Sequence, residues 1–257
     1  MQTLHILHAG SVNKPINDTI ARFERDDVTV HSTHSGSVDC VRRLIAGEPC
    51  DLIVLADAEL ISNMLMPTHA DGYYVFAGNS IAIMATSDEA QINSENWKET
   101  LLAPLATFGH YDPYFDPGGY RAVMACMLAD HVEPGLSRKL LEHPGRVVFT
   151  PGSKPVPQFI FTYLSSAQKS GKPFTRLPDE MALSNDEMNP IYKEAVFDLG
   201  ESKVVGSAIS LALTIPFTAR NKDLAKKFAL EFIQSDFAAE GFSLKNSVVG
   251  KNPLDAV

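Results

Sequence analysis

The sequence predicts an α/β protein built on a doubly wound, mostly parallel sheet. Three short β-runs, residues 4–8, 28–31 and 51–55, alternate with segments whose apolar residues recur at helical spacing. The third run is apolar from Leu52 onward, as expected for a strand that is covered on both faces. This β–α–β–α–β order is typical of parallel sheets, in which ligands bind at the carboxyl ends of the strands.

The rest of the chain predicts a second lobe. A long β-run at residues 73–86 is a candidate crossing into it, and a second crossing is expected between Met181 and Leu213. A helix at about residues 223–233 is expected to return to the first lobe. We therefore predict that residues 1–84 and 187–257 form lobe 1 and residues 85–186 form lobe 2, with a ligand cleft between them.

Composition excludes several classes of function. The net charge is −9 and no basic cluster exceeds two residues, so we set nucleic-acid binding aside. No run of 18 apolar residues is present, so no membrane-spanning helix is expected. A signal segment is not recognisable either, so an exported form is expected to have lost it.

Three buried thiols are a better interpretation of Cys40, Cys50 and Cys126 than a Cys40–Cys50 disulfide.

Two Gly-Ser turns follow neighbouring predicted strands, and each one opens a helix. Gly10-Ser11 follows the first strand and Gly36-Ser37 follows the second. A helix N-terminus carries about half a positive charge and leaves roughly four N–H donors unpaired, which suits a bound anion. The alternative for each serine is a helix N-cap, worth about 1 kcal/mol.

A third helix start lies in the predicted second lobe. It contains Asp116 and Gly118, and donors from both lobes would together clamp an anion. The alternative for Asp116 is a turn or cap residue, and the alternative for Tyr163 is a half-buried packing residue at a strand end. The histidines form no metal-ligand pattern, so no metal cofactor is assigned.

Several blocks of sequence along the chain carry a family resemblance. They are residues 8–11 (HAGS), 35–38 (SGSV), 56–57 (AD), 92–97 (INSENW), 116–121 (DPGGYR), 161–163 (FTY) and 177–180 (LPDE). With these blocks the chain resembles the periplasmic molybdate/tungstate-binding proteins of ABC transporters, in particular their archaeal-type branch. The resemblance implies a two-lobed type II periplasmic-binding fold, with lobes joined by crossing strands and an oxyanion held between them.

The resemblance also implies roles for individual residues. Ser11 and Ser37 would bind oxygens through hydroxyl and backbone N–H groups, and Tyr163 would be a phenol donor. Gly10 at the Ser11 turn and Gly118 at the Asp116 turn are further candidate ligand-binding residues. Asp116 would approach the Mo or W centre of the bound molybdate or tungstate. The branch has a glutamate before the Tyr163 strand, whereas residues 150–157 here contain no carboxylate. The coordination number and the anion therefore stay open, and Ser153 and Lys154 are candidate substitutes.

Three functions compete on these residues. The leading one is a non-enzymatic solute-binding protein, periplasmic or extracellular and membrane-associated, that serves an ABC permease through lobe closure. Its ligand would be molybdate or tungstate, with no other cofactor. A second is a binder of another oxyanion such as phosphate or sulfate, because a carboxylate in the site can accept a hydrogen bond from a protonated ligand. The third is a hydrolase that uses Ser11 or Ser37 with His8, His31 or His34 as a base, although neither turn has a G-x-S-x-G pattern.

Overall fold

A computed structural model describes residues 2–23, 27–150, 152 and 154–255. The chain divides into two compact units, Met1–Gly78 with Ser210–Val257 and, between them in sequence, Asn79–Ile209. The lobe limits predicted from the sequence, after residues 84 and 186, stay a prediction. Ser153, a candidate substitute for the missing glutamate, lies outside the described residues.

Strands and helices are numbered along the whole chain. The strands are β1 (Gln2–Ala9), β2 (Val28–Ser35), β3 (Leu52–Leu55), β4 (Gly72–Gly78), β5 (Ile81–Ala85), β6 (Phe108–His110), β7 (Arg146–Val148), β8 (Phe159–Tyr163), β9 (Phe174–Arg176), β10 (Val196–Asp198), β11 (Lys203–Val205), β12 (Ser210–Thr214) and β13 (Ser243–Gly250). The α-helices are α1 (Asn13–Phe23), α2 (Ser37–Ile45), α3 (Trp97–Leu101), α4 (Pro117–Met127), α5 (Leu136–Leu141), α6 (Leu164–Ser170), α7 (Asp179–Ala182), α8 (Asn189–Tyr192) and α9 (Lys222–Phe232). Short 3-10 turns occupy Gly10–Val12, Leu128–His131 and Asp186–Met188, and a π-helical turn occupies Ile61–Leu65.

The first unit is built on a mixed sheet with the strand order β13-β4-β12-β3-β1-β2. Strand β1 pairs in parallel with β2 and β3, as the βαβ pattern predicts, because α1 and α2 supply the crossover connections. Strand β12 runs antiparallel to β3 and β4, and β13 runs antiparallel to β4. The α/β prediction is thus confirmed, but the sheet is mixed rather than mostly parallel, since chain segments from after residue 209 fill the other half of it.

Helices of the first unit cover the sheet with their apolar stripes. Helix α1 buries Ile16 and Phe23, and Pro15 lies in its first turn, where its missing N–H costs no hydrogen bond. The helix packs on α9, with the rings of Phe23 and Phe228 in edge-to-face contact at 5.1 Å. Because α9 belongs to this unit, its predicted return to the first part of the fold is confirmed.

The second unit contains a mixed sheet with the strand order β7-β6-β8-β5-β9 and a separate antiparallel pair, β10 and β11. Strand β6 is parallel to β7 and β8, while β5 is antiparallel to β8 and β9. Helix α4 is buried from Pro117 through Cys126, because the sequence there is apolar on nearly every side. The guanidinium of Arg121 is also buried and donates to the carbonyl oxygen of Ser207 at 3.1 Å.

The described helices include none that is long and apolar enough to cross a membrane. Cys40, Cys50 and Cys126 are buried and form no disulfide bond, which confirms the interpretation of them as buried thiols.

Candidate anion-binding site

Parallel pairing brings the two Gly-Ser turns to the same edge of the first sheet. Ala9 at the end of β1 is in register with Ser35 at the end of β2, and His8 is in register with Val54 of β3. Ser11 and Ser37 each follow two residues after the paired strand ends. We call Gly10, Ser11 and Ser37 the serine cluster.

Ser11 is not a helix cap. It lies inside the 3-10 turn Gly10–Val12, whose N-cap is Ala9, and no side chain caps that turn. The hydroxyl oxygen of Ser11 is buried and has no hydrogen-bond partner among the residues that the structure describes. Burying an unpaired hydroxyl is costly, and such a group in a native protein indicates a bound water or ligand.

Gly10 leaves the backbone of this turn open. A Cβ atom built at Gly10 meets no atom within 4 Å, so the space above the residue is free. The first N–H groups of a helical turn have no intrahelical acceptor. The turn therefore offers N–H donors next to the unpaired Ser11 hydroxyl.

Ser37 has a structural task as well. It is fully buried at the start of α2, and its hydroxyl oxygen accepts a hydrogen bond from the backbone N–H of Ala56 at 3.0 Å. This bond ties the start of α2 to the segment that follows β3. A hydroxyl keeps its own hydrogen when it accepts, so Ser37 can still donate to a ligand.

We expect Ser37→Ala to lower the free energy of unfolding of the ligand-free protein by about 1–3 kcal/mol. The reason is that it leaves the buried N–H of Ala56 without its acceptor. Ser11→Ala removes an unpaired hydroxyl instead and should leave stability unchanged within about 0.5 kcal/mol. Urea unfolding of both variants measures the difference, and equal losses would show that the Ser37–Ala56 bond is not what distinguishes the two serines.

His8 is a buried polar residue that the sequence analysis considered only as a candidate base. It is fully buried at the end of β1, and burial lowers its pKa to about 4, so the ring is neutral at neutral pH. Its Nδ1 lies 3.0 Å from the carbonyl oxygen of Ala9 and must donate, because a carbonyl oxygen only accepts. Nε2 is then an acceptor, and it has no hydrogen-bond partner within the described ranges. The spacing of apolar residues does not reveal the burial or the hydrogen bonding of His8, because both depend on the packing around β1.

The hydrolase alternative needs a base in hydrogen-bond contact with its serine. The Ser11 hydroxyl has no such contact with any described residue, and the hydroxyl of Ser37 is bonded to a backbone N–H. The described residues also contain no group of three or more His, Cys, Asp or Glu side chains that could hold a metal ion.

In the second unit, Asp116 is the N-cap of α4. Its Oδ1 accepts a hydrogen bond from the backbone N–H of Gly118 at 2.7 Å, and Pro117 occupies the first helical position. The structure therefore shows the capping role that the sequence left open for Asp116. The backbone N–H of Gly118 is thus bonded to Asp116, and a ligand-binding role for Gly118 stays a prediction.

The carboxyl group of Asp116 is in an unfavourable environment for a charge. Burial raises its pKa from the ordinary 3.8 to about 6, and the hydrogen bond from Gly118 offsets only part of that effect. Near neutral pH the group is therefore close to its titration range.

Two phenol rings flank the start of α4. A Cβ atom at Gly118 would lie 2.9 Å from Asp116 Oδ1, 3.5 Å from Tyr163 Cε2 and 3.6 Å from Tyr111 Cδ2. Tyr163 is buried at the end of β8, where the sequence placed it. Tyr111 was not identified from the sequence, and its only signal is an aromatic residue directly after β6. We call Tyr111, Asp116, Gly118 and Tyr163 the Asp116 cluster.

Of the two candidate substitutes for the missing glutamate, Lys154 is exposed and Ser153 lies outside the described residues, so both stay predictions.

Comparison with known proteins assigns the family. Residues 4–243 match the profile of the bacterial extracellular solute-binding proteins. This chain belongs to that family. A solute-binding protein of Petrotoga mobilis, otherwise uncharacterized, is 30% identical to it over 276 residues, which cover 98% of this chain and 85% of the relative.

Two further proteins resemble this solute-binding protein over nearly its whole length. The molybdate/tungstate-binding protein WtpA of Pyrococcus abyssi is 29% identical, with 93% of this chain and 82% of the relative covered. The periplasmic molybdate-binding protein of Azotobacter vinelandii superimposes with a TM-score of 0.65 at 13% identity, covering 94% of this chain and 99% of that one. This structural likeness confirms the predicted fold class, an α/β periplasmic-binding fold.

Proposed function

We propose that this solute-binding protein captures a tetrahedral oxyanion, molybdate or tungstate, for an ABC importer. The observation that carries the proposal is the serine cluster, in which two helix-opening turns meet at one sheet edge and the buried hydroxyl of Ser11 has no described partner. The name of the Pyrococcus relative supplies the choice of molybdate or tungstate.

The serine cluster supports anion binding without a cation. Unpaired N–H groups and the positive end of the helix dipole favour negative charge at both turns. Hydroxyl donors add hydrogen bonds to charged oxygens, each worth about 1.5–3 kcal/mol. We propose that Tyr163 is a further donor to the bound oxyanion.

Asp116 supports a second candidate ligand, a protonated oxyanion such as hydrogen phosphate. An ionised carboxylate repels a divalent anion but accepts a hydrogen bond from a ligand that carries a proton. Sulfate, which has no proton near neutral pH, would gain nothing from this residue. The specific observation in favour of this candidate is the position of the Asp116 carboxyl group, which lies near Gly118 together with the rings of Tyr111 and Tyr163.

The family supports a setting for the proposed function. We propose that the protein acts in the periplasm or outside the cell, attached to the membrane surface, and hands its anion to the permease of an ABC transporter. The bound oxyanion is its cargo, and the proposal includes no catalytic step and no further cofactor.

A thermal shift series tests the proposal. At 100 times its dissociation constant a ligand adds about 2.7 kcal/mol of stability, which raises Tm by several degrees in a protein of this size. We expect molybdate and tungstate to give such a shift and equimolar sulfate to give a much smaller one. Equal shifts with molybdate, tungstate, sulfate and phosphate, or none, would contradict the assignment of the ligand and leave the fold unaffected.

A further inference from the structure

Tyr111 has a position in the Asp116 cluster that matches that of Tyr163. Its ring carbon Cδ2 lies 3.6 Å from the position that a Cβ of Gly118 would take, against 3.5 Å for Tyr163 Cε2. Both rings therefore lie beside Gly118 in the first turn of α4. Tyr111 is half-buried, so its ring is held by protein while part of the residue remains accessible.

The hydroxyl of Tyr111 is held close to the same strand end as Tyr163. The side chain of Thr162, the residue that precedes Tyr163 in β8, lies next to it. Burial raises the pKa of Tyr111, and the nearby Asp116 carboxylate raises it further, so the phenol keeps its proton. A protonated phenol can donate this hydrogen to an acceptor.

The backbone carbonyl group of Tyr111 is bonded to the side chain of His110, which is bonded in turn to Arg146. Nδ1 of His110 lies 2.8 Å from the carbonyl oxygen of Tyr111, and Nε2 of His110 lies 2.9 Å from an Arg146 guanidinium nitrogen. Because the carbonyl only accepts and the guanidinium only donates, His110 is neutral with its proton on Nδ1. Burial and the Arg146 charge lower the pKa of His110, consistent with that state.

Gly119 lets the Tyr111 loop lie directly on α4. A Cβ at residue 119 would overlap the carbonyl oxygen of Tyr111 and would lie 2.7 Å from the backbone nitrogen of Pro113. Two backbone bonds close the same loop, from Asp116 N to Asp112 O at 3.0 Å and from Gly119 N to Asp116 O at 2.9 Å. The position of Tyr111 is thus built into the start of the helix.

We propose that Tyr111 is a further ligand-binding residue, whose phenol donates a hydrogen bond to an oxyanion held beside Tyr163 at the start of α4. The inference rests on the proposed oxyanion-binding function. The N–H of Gly118 is occupied by Asp116 and the Asp116 carboxylate repels anions, so this cluster can attract an oxyanion through neutral phenol donors. The phenols of Tyr111 and Tyr163, whose rings both lie near Gly118, supply such donors.

Tyr111→Phe tests the inference because it removes only the hydroxyl. We expect calorimetric titration with molybdate to show about 10- to 150-fold weaker binding, the loss expected for one hydrogen bond to a charged oxygen. The matched control is Tyr114→Phe in the same loop. Tyr114 is 54% exposed, so the loss of its hydroxyl should leave the affinity unchanged. The Tm of each ligand-free variant reports whether folding is intact.

The outcomes separate the inference from the function on which it rests. If the unaltered protein binds none of the oxyanions, the proposed function itself fails. If it binds molybdate and Tyr111→Phe binds equally well, Tyr111 does not touch the ligand and the inference is overturned. Should Tyr111→Phe lose stability, the double variant Tyr111→Phe/Tyr163→Phe is compared with Tyr163→Phe at equal fractions of folded protein. If Tyr111 contacts the ligand, the double variant must bind more weakly than Tyr163→Phe alone.

Discussion

We expect Ser11→Ala to bind molybdate about 10- to 150-fold more weakly than the unaltered protein, with an unchanged free energy of unfolding. The size follows from the loss of one hydrogen bond between a hydroxyl and a charged oxygen, about 1.5–3 kcal/mol. The Ser11 hydroxyl is buried and has no partner in the described part of the protein, so its removal breaks no bond within the fold. An effect on affinity without an effect on stability is therefore the signature of a ligand contact.

Titration calorimetry on Ser11→Ala, with Ser243→Ala as a control, measures this prediction. Ser243 is an exposed residue at the start of β13, in the same unit as Ser11 but away from the strand ends that carry the serine cluster. Its substitution should alter neither affinity nor stability. Normal molybdate binding by Ser11→Ala would mean that the unpaired hydroxyl faces a water rather than the ligand, and the serine cluster would lose its main support.

We expect the affinity for molybdate to fall as the pH rises above about 6, by up to tenfold per pH unit, and we expect Asp116→Asn to abolish this dependence. Asp116 has a pKa of about 6 in the ligand-free protein because its carboxyl is buried. A divalent anion nearby favours the protonated carboxyl still more, so binding takes up a proton in this pH range. Between about pH 6 and pH 8 the loss accumulates to at most about 100-fold, since each pH unit contributes at most one factor of ten.

Asp116→Asn isolates the charge because an amide oxygen can still accept from Gly118 N–H and cap α4. We expect this variant to bind molybdate more tightly than the unaltered protein at about pH 8 and equally well at low pH. Weaker binding at every pH would instead indicate direct coordination of the metal centre by the carboxylate. Unchanged binding at every pH would place the carboxylate away from the ligand and leave it as a cap alone.

Asp116 also makes the stability of the folded protein depend on pH. Because the folded-state pKa of Asp116 lies above the ordinary 3.8, the folded protein holds a proton that the unfolded chain has released. Its contribution to stability is therefore greatest at low pH and is lost as the pH rises from about 4 to about 6. Urea unfolding across this window should show a smaller decline for Asp116→Asn than for the unaltered protein, and identical profiles would contradict the raised pKa.

Much of the first unit follows from local sequence patterns. The apolar positions of α1 and α2 and the continuous apolar run of β3 identify the βαβ order, and parallel pairing then brings the strand ends together. Strand β2 was foreseen only to His31 but continues to Ser35, because edge strands keep pairing after their side chains become polar. Alternation of apolar residues indicates which strand residues are buried, not which ones are paired. The strand end predicted from this alternation therefore comes before the end of the paired strand.

Contacts between distant segments lie beyond this kind of reasoning. Strand β13 pairs with β4 across more than half of the chain, and its largely exposed residues show no strong alternation. The bond between Ser37 and Ala56 N and the contact of Tyr111 with Thr162 likewise join residues that no local pattern connects. At Asp116 the D-P-G-G sequence allowed both a cap and a ligand contact, and only the position of Oδ1 shows that the cap is formed.

A competitive calorimetric titration of molybdate, tungstate, sulfate and phosphate against the purified protein tests the central claim most directly. We expect one site per chain, with molybdate or tungstate bound at least about tenfold more tightly than sulfate or phosphate, a difference of about 1.4 kcal/mol. Tighter binding of phosphate, or four indistinguishable affinities, would contradict the claim that this solute-binding protein captures molybdate or tungstate.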